Sequence, residues 1–181
     1  MSKVIIAGDV NGSGVFTLAA PNGNTNRTLT LPDEAGTMAL QGGAGVGKVL
    51  QVVNFTYNTN TSTTTATYVD TGLTATITPS SSNSKILVLV NQAGIRKMGN
   101  VYLGLKLFRD ASEILQFAVT SGYTTTTTTN GVGSDSACYL DSPASTSAVV
   151  YKTQFNATSS ATTWVQVSGA ASTITLMEIA G

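Results

Sequence analysis

Residues 172–181 read STITLMEIAG, and on this stretch the reading of the fold turns. Side chains alternate across a β-strand, so Ile174, Leu176 and Glu178 share one side of it. A chain that closes on an apolar β pattern with no polar tail is expected to build that last strand into a core or a subunit interface, since termini otherwise fray. Ile174, Leu176, Met177 and Ile179 are therefore candidates for a shared axis between copies of the chain. Glu178 is the odd member. A carboxylate on an apolar face needs a partner, and Lys85, Lys106, Arg109 or Lys152 could supply one, from this chain or a neighbouring subunit. Alternatively the strand end emerges into water there; a catalytic acidic pair is the weakest of the three readings.

Composition points the same way. Ser and Thr make up about a quarter of the 181 residues, against 10% charged and 7% aromatic. Thr is β-branched and suits a half-wet pleated surface, which favours strands over helices. The length suffices for one domain with a sizeable core plus an appendage. Formal net charge is zero, so neither nucleic acid nor an anionic membrane finds a basic footprint. The single cysteine, Cys138, has no intrachain partner and reads as a small core residue within ACYL. The apolar run in MSKVIIAGDV is too short for a signal peptide, and no stretch approaches a membrane span. Folding in a reducing cytoplasm is expected.

Two parts meet at the glycine-rich seam QGGAGVGK, residues 41–48. Residues 1–40 hold short strand-like runs bounded by turn residues, such as RTLTL closed by Pro32-Asp33. So small a module buries too little apolar surface to stand alone and needs identical copies or a docking partner. Residues 49–181 read as successive strands. KILVLVNQAGI is apolar at every position from Ile86 to Val90, which predicts burial on both faces. From Leu103 to Phe108, Leu103, Leu105 and Leu107 share one face, and Arg109-Asp110-Ala111-Ser112 reads as a hairpin turn. Later strands are SACYL, SAVVYKTQFNA, TTWVQVSGA and the terminal STITLMEI. Sustained helical periodicity is missing throughout. Short strands at this spacing indicate an all-β sandwich or jelly roll.

One low-complexity insertion, YTTTTTTN, comprises Tyr123, Thr124, Thr125, Thr126, Thr127, Thr128, Thr129 and Asn130 and runs on into GVGSDS. It reads either as a solvated surface loop or as an apical recognition loop with Tyr123 as its aromatic anchor. Other apparent motifs fall away. GGAGVGK has phosphate-loop spacing at Gly42, Gly47 and Lys48, but Val49 stands where a magnesium-binding Ser or Thr belongs, and a strand follows where a helix should. The chain has no histidine and one cysteine, which removes zinc chemistry and Ser-His or Cys-His nucleophiles. The acidic residues, Glu178 apart, fall mostly at turns. No cofactor, metal or catalytic residue is expected.

In that order, TYVDTGLTATITPSSSNSKILVLVN, LFRD, YLDSP, VYKTQF and STITLMEI resemble the jelly-roll domain at the C-terminal end of bacteriophage fibre and virion-surface proteins. It is similar to the trimeric heads of the complement and tumour-necrosis-factor type. The segment GVFTLAAPNGNTNRTLTLPDEAGTMAL resembles a short module of tail-fibre and other structural proteins of tailed phages. Fibre proteins are often longer, with a shaft between module and head, so the short QGGAGVGK seam leaves room for a short capsid-borne spike.

The resemblance implies a homotrimer in which residues 1–40 form an attachment and trimerisation module, 41–48 a linker and 49–181 a jelly-roll head, with the last strand near the threefold axis. It implies a non-enzymatic virion-surface fibre or spike, assembled in the bacterial cytoplasm. Such a protein docks on other virion proteins through residues 1–40 and contacts a host-surface glycan or protein through Tyr123 to Asn130, with no membrane insertion. The alternatives are a capsid decoration or head-fibre protein and, in another class, a polysaccharide-degrading tailspike.

Overall fold

The computed structural model describes residues 48–124 and 127–181. The expected N-terminal module (1–40), all of the linker except Lys48, and Thr125 and Thr126 lie outside the described residues. Ten strands follow one another: β1 (Val49–Tyr57), β2 (Thr61–Thr63), β3 (Val69–Ile77), β4 (Lys85–Lys97), β5 (Leu103–Arg109), β6 (Ser112–Ser121), β7 (Asn130–Asp141), β8 (Val149–Ala157), β9 (Thr163–Val165) and β10 (Ser172–Ile179). A single 3₁₀ turn, Val167–Gly169, lies between β9 and β10. Among the described residues there is no α-helix.

The strands form an all-β sandwich of two antiparallel sheets. The first runs β1-β10-β4, with β7 on the other side of β4 and the short β9 and β2 continuing from its far end. The second runs β3-β8-β5-β6. Strict alternation drives this closure: Ile86, Val88, Val90, Ile174 and Leu176 of the first sheet meet Leu73, Ile77, Leu107, Val149 and Tyr151 of the second in one core. A second cluster, Ile95, Leu103, Leu105, Phe155 and Val165, fills the other end.

Between the two clusters the alternation places polar side chains inward, and they bond one another. Thr153 donates to Gln92 Oε1 (2.9 Å) and lies 2.6 Å from the Thr71 hydroxyl, while Gln92 and Gln166 donate to Ser172 Oγ at 3.0 and 3.1 Å. All five are fully buried. Thr71 and Thr153 belong to one sheet and Gln92 and Ser172 to the other, so this chain of bonds pins the two sheets in a single relative register.

The long strands run between two ends. At one, Ala180 N–H donates to Lys48 O (2.9 Å), so the chain enters and closes side by side, next to the connections 78–84, 110–111 and 142–148. At the other, Met98 N–H donates to Thr162 O (2.9 Å) and Thr158 N–H to Tyr102 O (3.2 Å). That distal end gathers the connections 98–102, 158–162 and the described part of 122–129.

The hairpin at Asp110-Ala111 and the terminal strand stand where the alternation predicts. Three expectations are corrected. Residues 131–136, GVGSDS, continue β7 instead of extending the Thr-rich loop, because they pair with Asn91 to Arg96 of the long β4. Ile86 to Val90 is buried on one face only: Leu87 is half-buried and Leu89 is exposed. Cys138 is exposed, since its neighbours Ala137 and Tyr139 take the inward positions.

Candidate functional site

The outer face of the first sheet has an unusual make-up. Register across β1, β10, β4 and β7 aligns its outward side chains in rows. Val52, Met177, Leu87 and Leu140 form one row; Asn54, Thr175, Leu89 and Cys138 the next; Thr56, Thr173, Asn91 and Ser136 the third. Toward the entry end Val49 lies beside Ile179 and Ile179 beside Lys85. Val52 and Leu140 remain 54% and 51% exposed. The three complete rows contain no charged residue, and the first is wholly apolar. An antiparallel sheet face in contact with water normally turns polar residues outward, and contiguous exposed apolar surface marks a contact site.

The outer face of the second sheet has the opposite character. Lys106 Nζ sits 2.6 Å from the Glu113 carboxylate and 4.3 Å from the centre of the Tyr68 ring. Lys152 lies 3.0 Å from Asp70, whose carboxylate also accepts from Gln154 Nε2 at 2.7 Å. A shallow depression of about 120 Å³ lies against this pair, lined by Asp70, Gly72, Leu73, Thr74 and Lys152. One face is thus a solvated, ion-paired surface; the other bears an apolar row that grades into neutral polar ones, with Lys85 at its entry edge.

The structure divides the four residues expected at a shared axis. Ile174 and Leu176 are fully buried in the protomer's own core and are corrected as axis candidates. Met177 and Ile179 point the other way and lie on the uncharged face, where Leu87, Leu89, Val52 and Leu140 join them. The sequence carried the signal for Leu87 and Leu89 in the unbroken apolar run of β4 and for Val52 in LQVV of β1. The sequence pattern of Ile86 to Val90 predicts burial on both faces.

Glu178 is corrected as well. Its carboxylate is buried on the inner side, and no cation reaches it. Lys106, Arg109 and Lys152 are committed to Glu113, Asp141 and Asp70. Neutral dipoles hold it instead: Ser80 N–H (2.7 Å) and Ser80 O–H (2.6 Å) donate to Oε1, and Gln51 Nε2 donates to Oε2 at 2.6 Å. Desolvation pushes this carboxyl up, but the bonds from the Ser80 hydroxyl, Gln51 and Ser80 N–H, with the nearby Ser84 hydroxyl acting in the same sense, outweigh it and hold the group at about 2. Asp141 likewise is no ordinary turn residue. It accepts from Tyr151 O–H at 2.6 Å and from Arg109 at 3.0 Å, and burial together with this bond pushes the Tyr151 phenol far up.

At the distal end Tyr123 is exposed and meets Tyr102 edge-on, ring centres 5.7 Å apart at 72°. Thr124 is half-buried, and its hydroxyl accepts from the buried Lys97 ammonium, which also donates to Gly99 O at 2.8 Å. Thr127, Thr128 and Thr129 are exposed, and Asn130 opens β7 opposite Lys97. The loop is therefore tied at its base and open at its tip. Tyr102, absent from the sequence-based candidates, is the residue that pairs with Tyr123. No protein-family model and no curated protein sequence matches the chain.

Proposed function

We propose that this chain is a non-enzymatic structural protein of a tailed-phage virion, a homotrimeric spike or fibre head used in host attachment. The observation that carries it is the exposed apolar row Val52, Met177, Leu87 and Leu140 on the outer face of the β1-β10-β4-β7 layer, set against the ion-paired face behind it. A partner for such a face must itself be uncharged and apolar there, or its charges lose water without compensation. The same layer in a second copy meets that requirement, and a closed ring of three copies covers it with cyclic symmetry.

The strand order supports a jelly roll. Counting only the eight long strands along the chain, the two layers read 1-8-3-6 and 2-7-4-5, which is two nested Greek keys. The position of Lys48 supports display: it lies at the end of the long strands opposite the Tyr102–Tyr123 loops, which leaves those loops free for contact. Three weak distal contacts on one rigid head then act together, and avidity raises attachment by about 10²–10⁴ over a single contact.

Analytical sedimentation with thiol labelling tests this. The full chain should sediment as a trimer at micromolar concentration, with Cys138 slow toward a maleimide until the assembly is dissociated. A folded monomer with a freely reactive Cys138 would remove the reading. Antibody labelling of intact particles then places the protein on head or tail.

A further inference from the structure

We infer that the distal tyrosine pair is a stacking platform for an uncharged saccharide. This deepens the attachment reading above and rests on it for its biological setting. Tyr123 is 57% exposed and presents its ring at the end remote from chain entry. The backbone beneath both rings is held before any ligand arrives, and the rings pack edge-on against each other. Tyr102 N–H donates to Thr158 Oγ1 (3.2 Å), and that hydroxyl donates back to Tyr102 O (3.1 Å). Tyr123 N–H donates to Thr120 O at 3.1 Å, and the adjacent Thr124 is tied to Lys97. Ordering these groups in advance lowers the entropy lost on binding.

The chemistry around the pair selects the class of ligand. Residues 58–60, 64–68, 98–102, 122–124, 127–129 and 158–162 contain no Asp, Glu, Lys or Arg. Of the cations on the adjoining strands, Lys97 points inward to Gly99 and Thr124, Lys106 is paired with Glu113, and the exposed Arg96 guanidinium lies 5.4 Å from the centre of the Trp164 ring. Within these connections themselves an anionic polymer finds no fixed positive charge to offset its desolvation. An uncharged sugar presents C–H faces that suit an aromatic ring and hydroxyls that exchange bonds with Thr and Ser. Tyrosine offers such contact area with little side-chain entropy to lose.

The test is titration of the full chain with short glucan, mannan and galactan oligosaccharides, with oligogalacturonate as the anionic control, followed by calorimetry and tyrosine-ring NMR shifts. At least one neutral oligosaccharide should bind and shift the Tyr102 and Tyr123 ring signals. Tyr123→Ala should weaken it about tenfold, and Tyr123→Phe by less than about threefold, since the ring face supplies the contact. Raising salt should leave the affinity unchanged. The inference is overturned if no neutral oligosaccharide in the panel binds, if Tyr123→Ala binds as well as the unaltered chain, or if oligogalacturonate binds best with strong salt dependence. Because binding is read per site, a trimer without a saccharide response sinks only this inference. A monomer that binds the sugar through Tyr123 sinks only the spike.

Discussion

Glu178 illustrates how a single residue type can be read correctly and its environment wrongly. The alternation placed it inward, and Coulombic reasoning called for a cation. Three neutral donors around Ser80 and Gln51 serve instead, tying β1, β10 and the β3–β4 connection together at the entry end. Its folded carboxyl stands at about 2 against an ordinary 4.5. The unfolded chain therefore takes up the proton first on acidification. The stabilisation is complete above pH 4.5 and is lost as pH falls from there toward 2. Acid denaturation profiles of the protein and of Glu178→Gln should converge below pH 2, with the variant flatter across that window. At neutral pH the variant is expected to lose about 1.5–3 kcal/mol, the range for bonds to a charged group. Gly72 is the other residue whose identity the backbone dictates. It sits at φ +88° in the irregular stretch of β3, and a Cβ there would overlap the Tyr57 ring. Gly72→Ala should lower stability by about 1–3 kcal/mol in a chemical melt.

Among the elements, β10 shows how one strand serves two surfaces. Its inner side chains complete the core, so Leu176→Ala should cost about 2–5 kcal/mol of protomer stability. The outer ones, Thr173, Thr175, Met177 and Ile179, face away from the core. Met177→Glu should leave the protomer's fold intact and abolish assembly, since it places a charge within the wholly apolar row of Val52, Leu87 and Leu140. Circular dichroism and sedimentation together separate these outcomes: unchanged strand content with a monomer supports the reading, and an unaltered trimer opposes it. The polar layer of Thr71, Thr153, Gln92 and Ser172 obeys a different rule. Thr153→Val keeps the shape but strands the Gln92 oxygen and the Thr71 hydroxyl, a loss of about 1–3 kcal/mol, measurable by denaturant titration.

At the level of the molecule, the two outer faces and the two ends carry different chemistry. One face carries ion pairs, the other an apolar row exposed to solvent, one end brings Lys48 beside Ala180, and the distal end presents tyrosines. In the proposed spike this separation would give rigid display, because Lys48 and the tyrosines lie at opposite ends of strands locked by two cores and a bonded polar layer. Dissociation should accordingly expose Cys138 without unfolding the protomer. Maleimide labelling at increasing dilution, alongside near-ultraviolet dichroism, checks this; loss of dichroism in step with labelling would mean that fold and assembly are inseparable.

The all-β class, most strand positions among the described residues, the Asp110-Ala111 hairpin and the inward set Leu103, Leu105 and Leu107 were legible in the sequence, because a period of two and turn chemistry are local properties. It also marked the last strand as one built into a core or a subunit interface. Only the tertiary structure decided which of its side chains meet the second sheet and which face away from the core. Whether Leu87 and Leu89 meet a second layer or open space depends on pairing between β4, β7 and β10, whose residues lie far apart along the chain. The same non-local pairing set Tyr102 beside Tyr123 and Ser80 beneath Glu178. Period-two patterning fixes which side a residue takes, but long-range register fixes what it finds there.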